Sequence, residues 1–204
     1  MTYPNAAKGV KKLFIAEIFS IIVIALTLIA TVLSIVAMAN GSLGLLGAAG
    51  VIAIILGILA IVALILRIVG LVNASKDEQA FKIALIAVIA SLVLSVVKVF
   101  TSGTFASILQ LLVNLGSLVC FIYCIEGIRR LAEALNRPDV AKLGKSLLWM
   151  ILIIGVVNII LALLSTFLGS AANVLNLLVS IASIVEEILF IILLAKGKNM
   201  LAQN

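Results

Sequence analysis

Residues 51–72 read V-I-A-I-I-L-G-I-L-A-I-V-A-L-I-L-R-I-V-G-L-V, an apolar run whose only charge is Arg67. A bilayer hydrocarbon core of roughly 30 Å needs about 20 consecutive apolar residues in a helix. This run meets that test, and the apolar segment extends back to Leu45. The rest of the chain matches it. Of 204 residues, 65% are hydrophobic and 11% charged, and the mean hydropathy is +1.44. A soluble domain is about half apolar and about a quarter charged, so lipid is the natural solvent here. The net charge of +6 does not imply nucleic acid, because no polar domain exists to carry a basic face.

Five further segments resemble the first, giving approximate spans of 13–38, 45–72, 80–100, 105–128, 146–168 and 172–195. The expected fold is therefore all-α, a single polytopic transmembrane domain over residues 1–204. The connections alternate in kind. Three are short, uncharged and built of small residues: Ala39-Asn40-Gly41-Ser42, Thr101-Ser102-Gly103-Thr104 and Gly169-Ser170-Ala171. The others carry charge: Lys8, Lys11 and Lys12; Lys76-Asp77-Glu78; residues 129–145; and a tail with Lys196 and Lys198. Lysine and arginine gather on the cytoplasmic side of membrane proteins. Six helices as three antiparallel hairpins, with both termini cytoplasmic in the cell membrane, follow from that alternation. Of fourteen basic residues only Lys98 falls at the opposite end, where it is expected to snorkel outward to the far headgroups.

The hairpins read as weak repeats. Lys11, Lys82 and Lys145 each precede an apolar run, and Leu56-Gly57 stands ten residues before Arg67 as Leu115-Gly116 stands before Glu126.

Polar residues inside the spans are few. On the fourth helix Ser107, Gln110, Asn114 and Ser117 follow spacings of three and four, and on the sixth so do Asn173, Asn176, Ser180, Ser183 and Glu187. Such spacing puts each set on one stripe. Hydrocarbon offers polar groups no partner, so two stripes predict one shared polar interior. The second helix contributes Ala49, Ala53 and Gly57, a small-residue pattern that permits close helix approach. Glu186 and Glu187 sit together in the last apolar run. A lone ionised carboxylate there is costly, so each is either protonated or paired with a cation. Antiparallel neighbours place Glu17 at the depth of Arg67, Lys82 near Glu126, and Lys145 near the glutamate pair, which makes these the candidate intramembrane ion pairs.

Chemistry is sparse. Histidine is absent, which removes the commonest general base and most zinc and haem ligand sets. Cys120 and Cys124 share a helix face with no ligand partners flanking them, and read as packing residues. No catalytic residue, metal or cofactor is assigned. The adjacent glutamates are similar to the E-E-x-x-x-R signature of CAAX-type intramembrane proteases, but the arginine is missing and so are that family's histidines. The layout of three short hairpins resembles small acid-resistance membrane proteins of the HdeD type, in topology alone. The expected function is non-enzymatic: an accessory, scaffold or stress-related membrane factor. The alternative is a small permease or channel lined by helices four and six. Expected partners are membrane lipids and further membrane helices, from another copy or another protein, and not nucleic acid.

Overall fold

A computed structural model describes the backbone of residues 2–168 and 170–203, and the side chains of residues 2–42, 44–45, 47–157, 160 and 184–203. Among the described residues the chain is all helix, with no strands. The elements are α1 (Pro4–Asn40), α2 (Leu43–Ala74), α3 (Gln79–Val99), α4 (Gly103–Ala134), α5 (Pro138–Leu168) and α6 (Ser170–Gln203). Five of them are long and apolar enough to cross a membrane on described residues alone, and α6 runs for 34 residues. By length and composition these helices are consistent with a membrane protein.

The helices run past the apolar segments. α1 begins at Pro4 rather than near residue 13, α4 continues to Ala134, α5 opens at Pro138 rather than near 146, and α6 reaches Gln203. The charged stretches at these positions are helix ends, because each carries an apolar face of its own. Ala6 and Val10, Leu131 and Ala132, Val140, and Met200 and Leu201 are all buried. The break between α4 and α5 is three residues wide. Asn136 takes a left-handed φ of 54°, and the Arg137 N–H donates to Ala132 O at 2.8 Å, closing the helix end. Pro138 then starts α5, where its missing N–H costs nothing. At the α1–α2 link Gly41 adopts a left-handed φ of 62°, which a residue without Cβ does freely.

The Lys76-Asp77-Glu78 link is a pair of caps. Tyr3 precedes α1 and makes no side-chain capping hydrogen bond. The Asp77 carboxylate takes that place, accepting from the Ala6 N–H at 2.7 Å and the Asn5 Nδ2 at 2.9 Å. Glu78 accepts from the Ala80 N–H at the start of α3. Each carboxylate satisfies orphan donors and faces the positive end of a helix dipole.

α1 packs most extensively on α2, and α3 on α4; α5 touches α4 and α6, and α6 also touches α1. The closest approach joins the start of α1 to the end of α2. A Cβ on Gly9 would lie 2.5 Å from Gly70 O and 2.6 Å from Ala74 N. Gly127 of α4 leaves room for the Phe81 ring of α3, and Gly197 of α6 lies against Ile128 and Val10. One buried cluster results, joining Val10, Leu13, Leu71, Phe81, Ile125, Ile128, Leu147, Ile151 and Leu193. The Ala49, Ala53, Gly57 pattern of α2 is not used this way. Ala49 is buried, but Ala53 and Gly57 are exposed, and nothing lies within 4 Å of a Cβ placed on Gly57.

Candidate functional site

The polar groups within the helices fall into two sets. The first surrounds Glu17 and Arg67. Arg67 Nη2 donates to both carboxylate oxygens of Glu17, at 2.6 and 2.8 Å. Glu17 is only 2% exposed, while the Arg67 side chain is 31% exposed. One guanidinium nitrogen thus serves two acceptors, a charge-assisted contact stronger than a neutral one. Cys120 and Cys124 of α4, both buried and both free thiols, lie within electrostatic reach of this pair. Glu187 of α6 also lies within electrostatic reach of Glu17 and Arg67. The contact itself joins α1 to α2, and groups of α4 and α6 lie close enough to feel its charge. Beside it Phe121 of α4 meets Phe190 of α6, with ring centroids 4.3 Å apart.

The remaining ion pairs differ from the sequence-based expectation. Glu126 does not meet Lys82, which is exposed. It accepts instead from Arg129 Nε at 2.7 Å and Arg130 Nε at 2.8 Å, three and four residues on along its own helix. Those neighbours are placed by helix geometry alone, whereas Lys82 must reach across from α3. Arg130 also approaches Glu78 at 3.5 Å, tying α4 to the α3 cap. Lys145 is exposed, and among the described residues no salt bridge joins it to Glu186 or Glu187, which are both half-buried. Arg67 and Glu126, matched in depth by the repeat alignment, thus serve different ends. One clamps two helices, and the other gathers charges on its own. Lys198 lies over the Phe14 ring, 4.4 Å from its centroid.

The second set lies toward the α3–α4 turn. The Lys98 ammonium donates to Gln110 Oε1, and Gln110 Nε2 donates to Asn114 Oδ1 at 2.8 Å. Lys98 thus reaches a residue seven positions inside α4 instead of snorkelling beyond the end of its helix. The signal for this was side-chain direction. Side chains lean toward the N-terminus of their own helix, so Lys98 leans into the bundle and Gln110 leans up toward the turn. Ser117 donates to Val113 O within its own helix, and both Asn114 and Ser117 are exposed. Asn173, Asn176, Ser180 and Ser183, the α6 stripe, lie outside the described side chains.

Among the described residues no group of three or more cysteines and carboxylates is placed to hold a metal ion. No protein-family model, curated protein or solved structure significantly matches this chain.

Proposed function

We propose that this protein is a six-span membrane protein of three antiparallel hairpins, with both termini in the cytoplasm, acting as a non-enzymatic accessory or scaffold. The observation that carries this reading is the Glu17–Arg67 clamp set inside a packed end, beneath a long apolar exterior. Val32 is 58% exposed, Ile54 68% and Met38 74%. Such a surface suits lipid and the helices of partners or of another copy, because van der Waals packing and lipid entropy drive helix association in membranes. The short polar links leave little to act in water, and both acidic residues of the α2–α3 link serve as helix caps.

Orientation has a direct test. Single cysteines at Lys76 and Lys142, in a background lacking Cys120 and Cys124, should both react with an impermeant maleimide only from the cytoplasmic face. Labelling of the two from opposite faces would overturn the three-hairpin arrangement.

One observation favours a small permease or channel as the second reading. Gln110, Asn114 and Ser117 continue, at helical spacing, into Phe121, whose ring meets Phe190 of α6. A polar face turned that way would line a path between the two helices. Liposomes carrying the wild type would then pass small ions faster than those carrying Glu187→Gln. Equal fluxes, both at the level of protein-free liposomes, favour the scaffold.

A further inference from the structure

We infer that Lys98, held by Gln110 and Asn114, is a binding site for a phosphate-type oxyanion at the end of the bundle opposite the other basic residues. The inference rests on the membrane location and not on the choice between scaffold and permease.

Lys98 lacks a counter-charge. The nearest acidic residue on its own helix side is Glu78, twenty residues earlier, or about 30 Å along a helix axis. On α4 the nearest is Glu126, sixteen residues beyond Gln110, or about 24 Å. Among the described residues Lys98 enters no salt bridge. It is nevertheless half-buried rather than extended into water. An unneutralised ammonium at that position is costly unless an anion joins it.

The hydrogen bonds give the site a direction. A lysine ammonium only donates, so the Gln110 oxygen must face it. The Gln110 amide nitrogen is then turned to Asn114, whose oxygen accepts it at 2.8 Å. Both ends of the chain finish in donors. Two N–H bonds of Lys98 remain, and so does the NH2 of the exposed Asn114. Each amide oxygen of the cluster already takes one donor, and the only charge in it is that of the ammonium. A set of donors carrying net positive charge selects an oxyanion, and the ammonium supplies the point charge that phosphate prefers. Gln110 and Asn114 act as positioning residues: Asn114 fixes the amide of Gln110, and Gln110 fixes the ammonium.

Such a phosphate has two sources, the headgroup of an anionic phospholipid in the far leaflet or a dissolved anion. The test is the rate at which an amine-reactive reagent acetylates Lys98, read by peptide mass spectrometry on the full-length protein in nanodiscs. Three conditions are compared: phosphatidylcholine alone, phosphatidylcholine with phosphatidylglycerol, and phosphatidylcholine with inorganic phosphate in the buffer. Bound phosphate should slow the reaction about fivefold, the effect of about 1 kcal/mol per lysine near an anionic surface. Slowing by phosphatidylglycerol alone assigns the lipid, and slowing by inorganic phosphate assigns the dissolved anion. Gln110→Leu should abolish most of the slowing while leaving the thermal midpoint unchanged. Because it sees the same bilayer, it cancels any general effect of surface charge on the reagent. Equal rates in all three conditions would overturn the site, and so would equal protection in Gln110→Leu. A Lys98 that reacts in no bilayer is beyond the reach of headgroup and solute alike, which also overturns it.

Discussion

Where the basic residues gather, Gly9 rests on the backbone of Gly70 and Ala74, Phe81 fills the space left by Gly127, and Glu17 is sealed against Arg67. At the α1–α2 and α3–α4 turns the same helices show the opposite character. Met38, Val99 and Phe100 are 74%, 79% and 83% exposed, and nothing lies within 4 Å of a Cβ on Gly41 or Gly44, or on Gly57 halfway along α2. Charge separates the two ends, yet apolar residues line the helices toward both, so apolar content alone does not account for the packing. Lipid tails are as apolar as leucine, so an isoleucine gains little by leaving them for another helix. Contact forms where it brings something lipid cannot supply: a backbone approach through glycine, a counter-charge, a cap. Those groups are concentrated at one end.

Removing the counter-charge should break the packed end most severely. Arg67→Leu leaves the Glu17 carboxylate buried without a partner, a change that costs about 3–5 kcal/mol for a fully buried pair. Arg67 is itself 31% exposed, which places the expected loss at the lower edge of that range. The thermal midpoint in detergent should fall clearly, and the double variant Glu17→Leu with Arg67→Leu should regain most of it, since a matched apolar pair carries no desolvation cost. An unchanged midpoint in Arg67→Leu would show that the contact holds nothing together.

Glycine separates the two ends next. Gly9→Ala puts a methyl group 2.5 Å from Gly70 O and 2.6 Å from Ala74 N, atoms that cannot rotate away. Forcing α1 from α2 in this way should cost about 1–3 kcal/mol, the usual range for overpacking. Gly57→Ala adds the same methyl to open space and should leave stability unchanged or slightly raised, alanine being the better helix former. Equal losses in the two variants would erase the distinction between the packed end and the open length of α2.

Much of this was legible from pattern. The apolar run around Val51–Val72 is long enough to span, and the sequence shows why: only Arg67 interrupts it. Glu17 and Arg67 could be matched in depth from their distances to the α1–α2 turn. The functional details were not legible, for separate reasons. Glu126 had three cations within reach, and sequence depth alone could not rank Lys82 against Arg129 and Arg130. The small-residue pattern at Ala49, Ala53 and Gly57 marks a face that can approach another helix, but not whether one is present. The close contact formed instead at Gly9 and Gly70, which hydropathy does not distinguish from any other glycine. Caps were hidden because Asp77 acts on a helix 71 residues away, at Ala6.

That cap gives a smaller and more local prediction. Asp77→Asn keeps the shape but removes the charge facing the start of α1, and should cost about 1 kcal/mol. Hydrogen exchange should show it best, with faster exchange at Ala6 and unchanged exchange at Leu45, whose N–H meets Ser42 Oγ at the opposite end. Faster exchange at both sites would mean that the variant loosens the whole bundle.

The smallest effect belongs to the boundary between the two ends. Ser91 is the last buried residue of α3, and its Oγ has no hydrogen-bond partner among the described residues. It lies against Gly116, where an added Cβ would come within 2.1 Å of the hydroxyl but stay 3.4 Å from Ser91 Cβ. Ser91→Ala removes an unsatisfied polar atom and keeps the packing carbon, so stability should hold or rise by up to about 1 kcal/mol. Gly116→Ala alone should cost a little, because the hydroxyl must turn away, which is a smaller demand than moving the backbone at Gly9. In the Ser91→Ala background the same substitution should cost almost nothing, since the remaining contacts are ordinary ones. The two changes are therefore coupled, and a double-mutant cycle measures the coupling directly. If Ser91→Ala lowers the midpoint instead, the hydroxyl is bonded in the membrane, and the packed end extends further toward the α3–α4 turn than the contacts of α3 indicate.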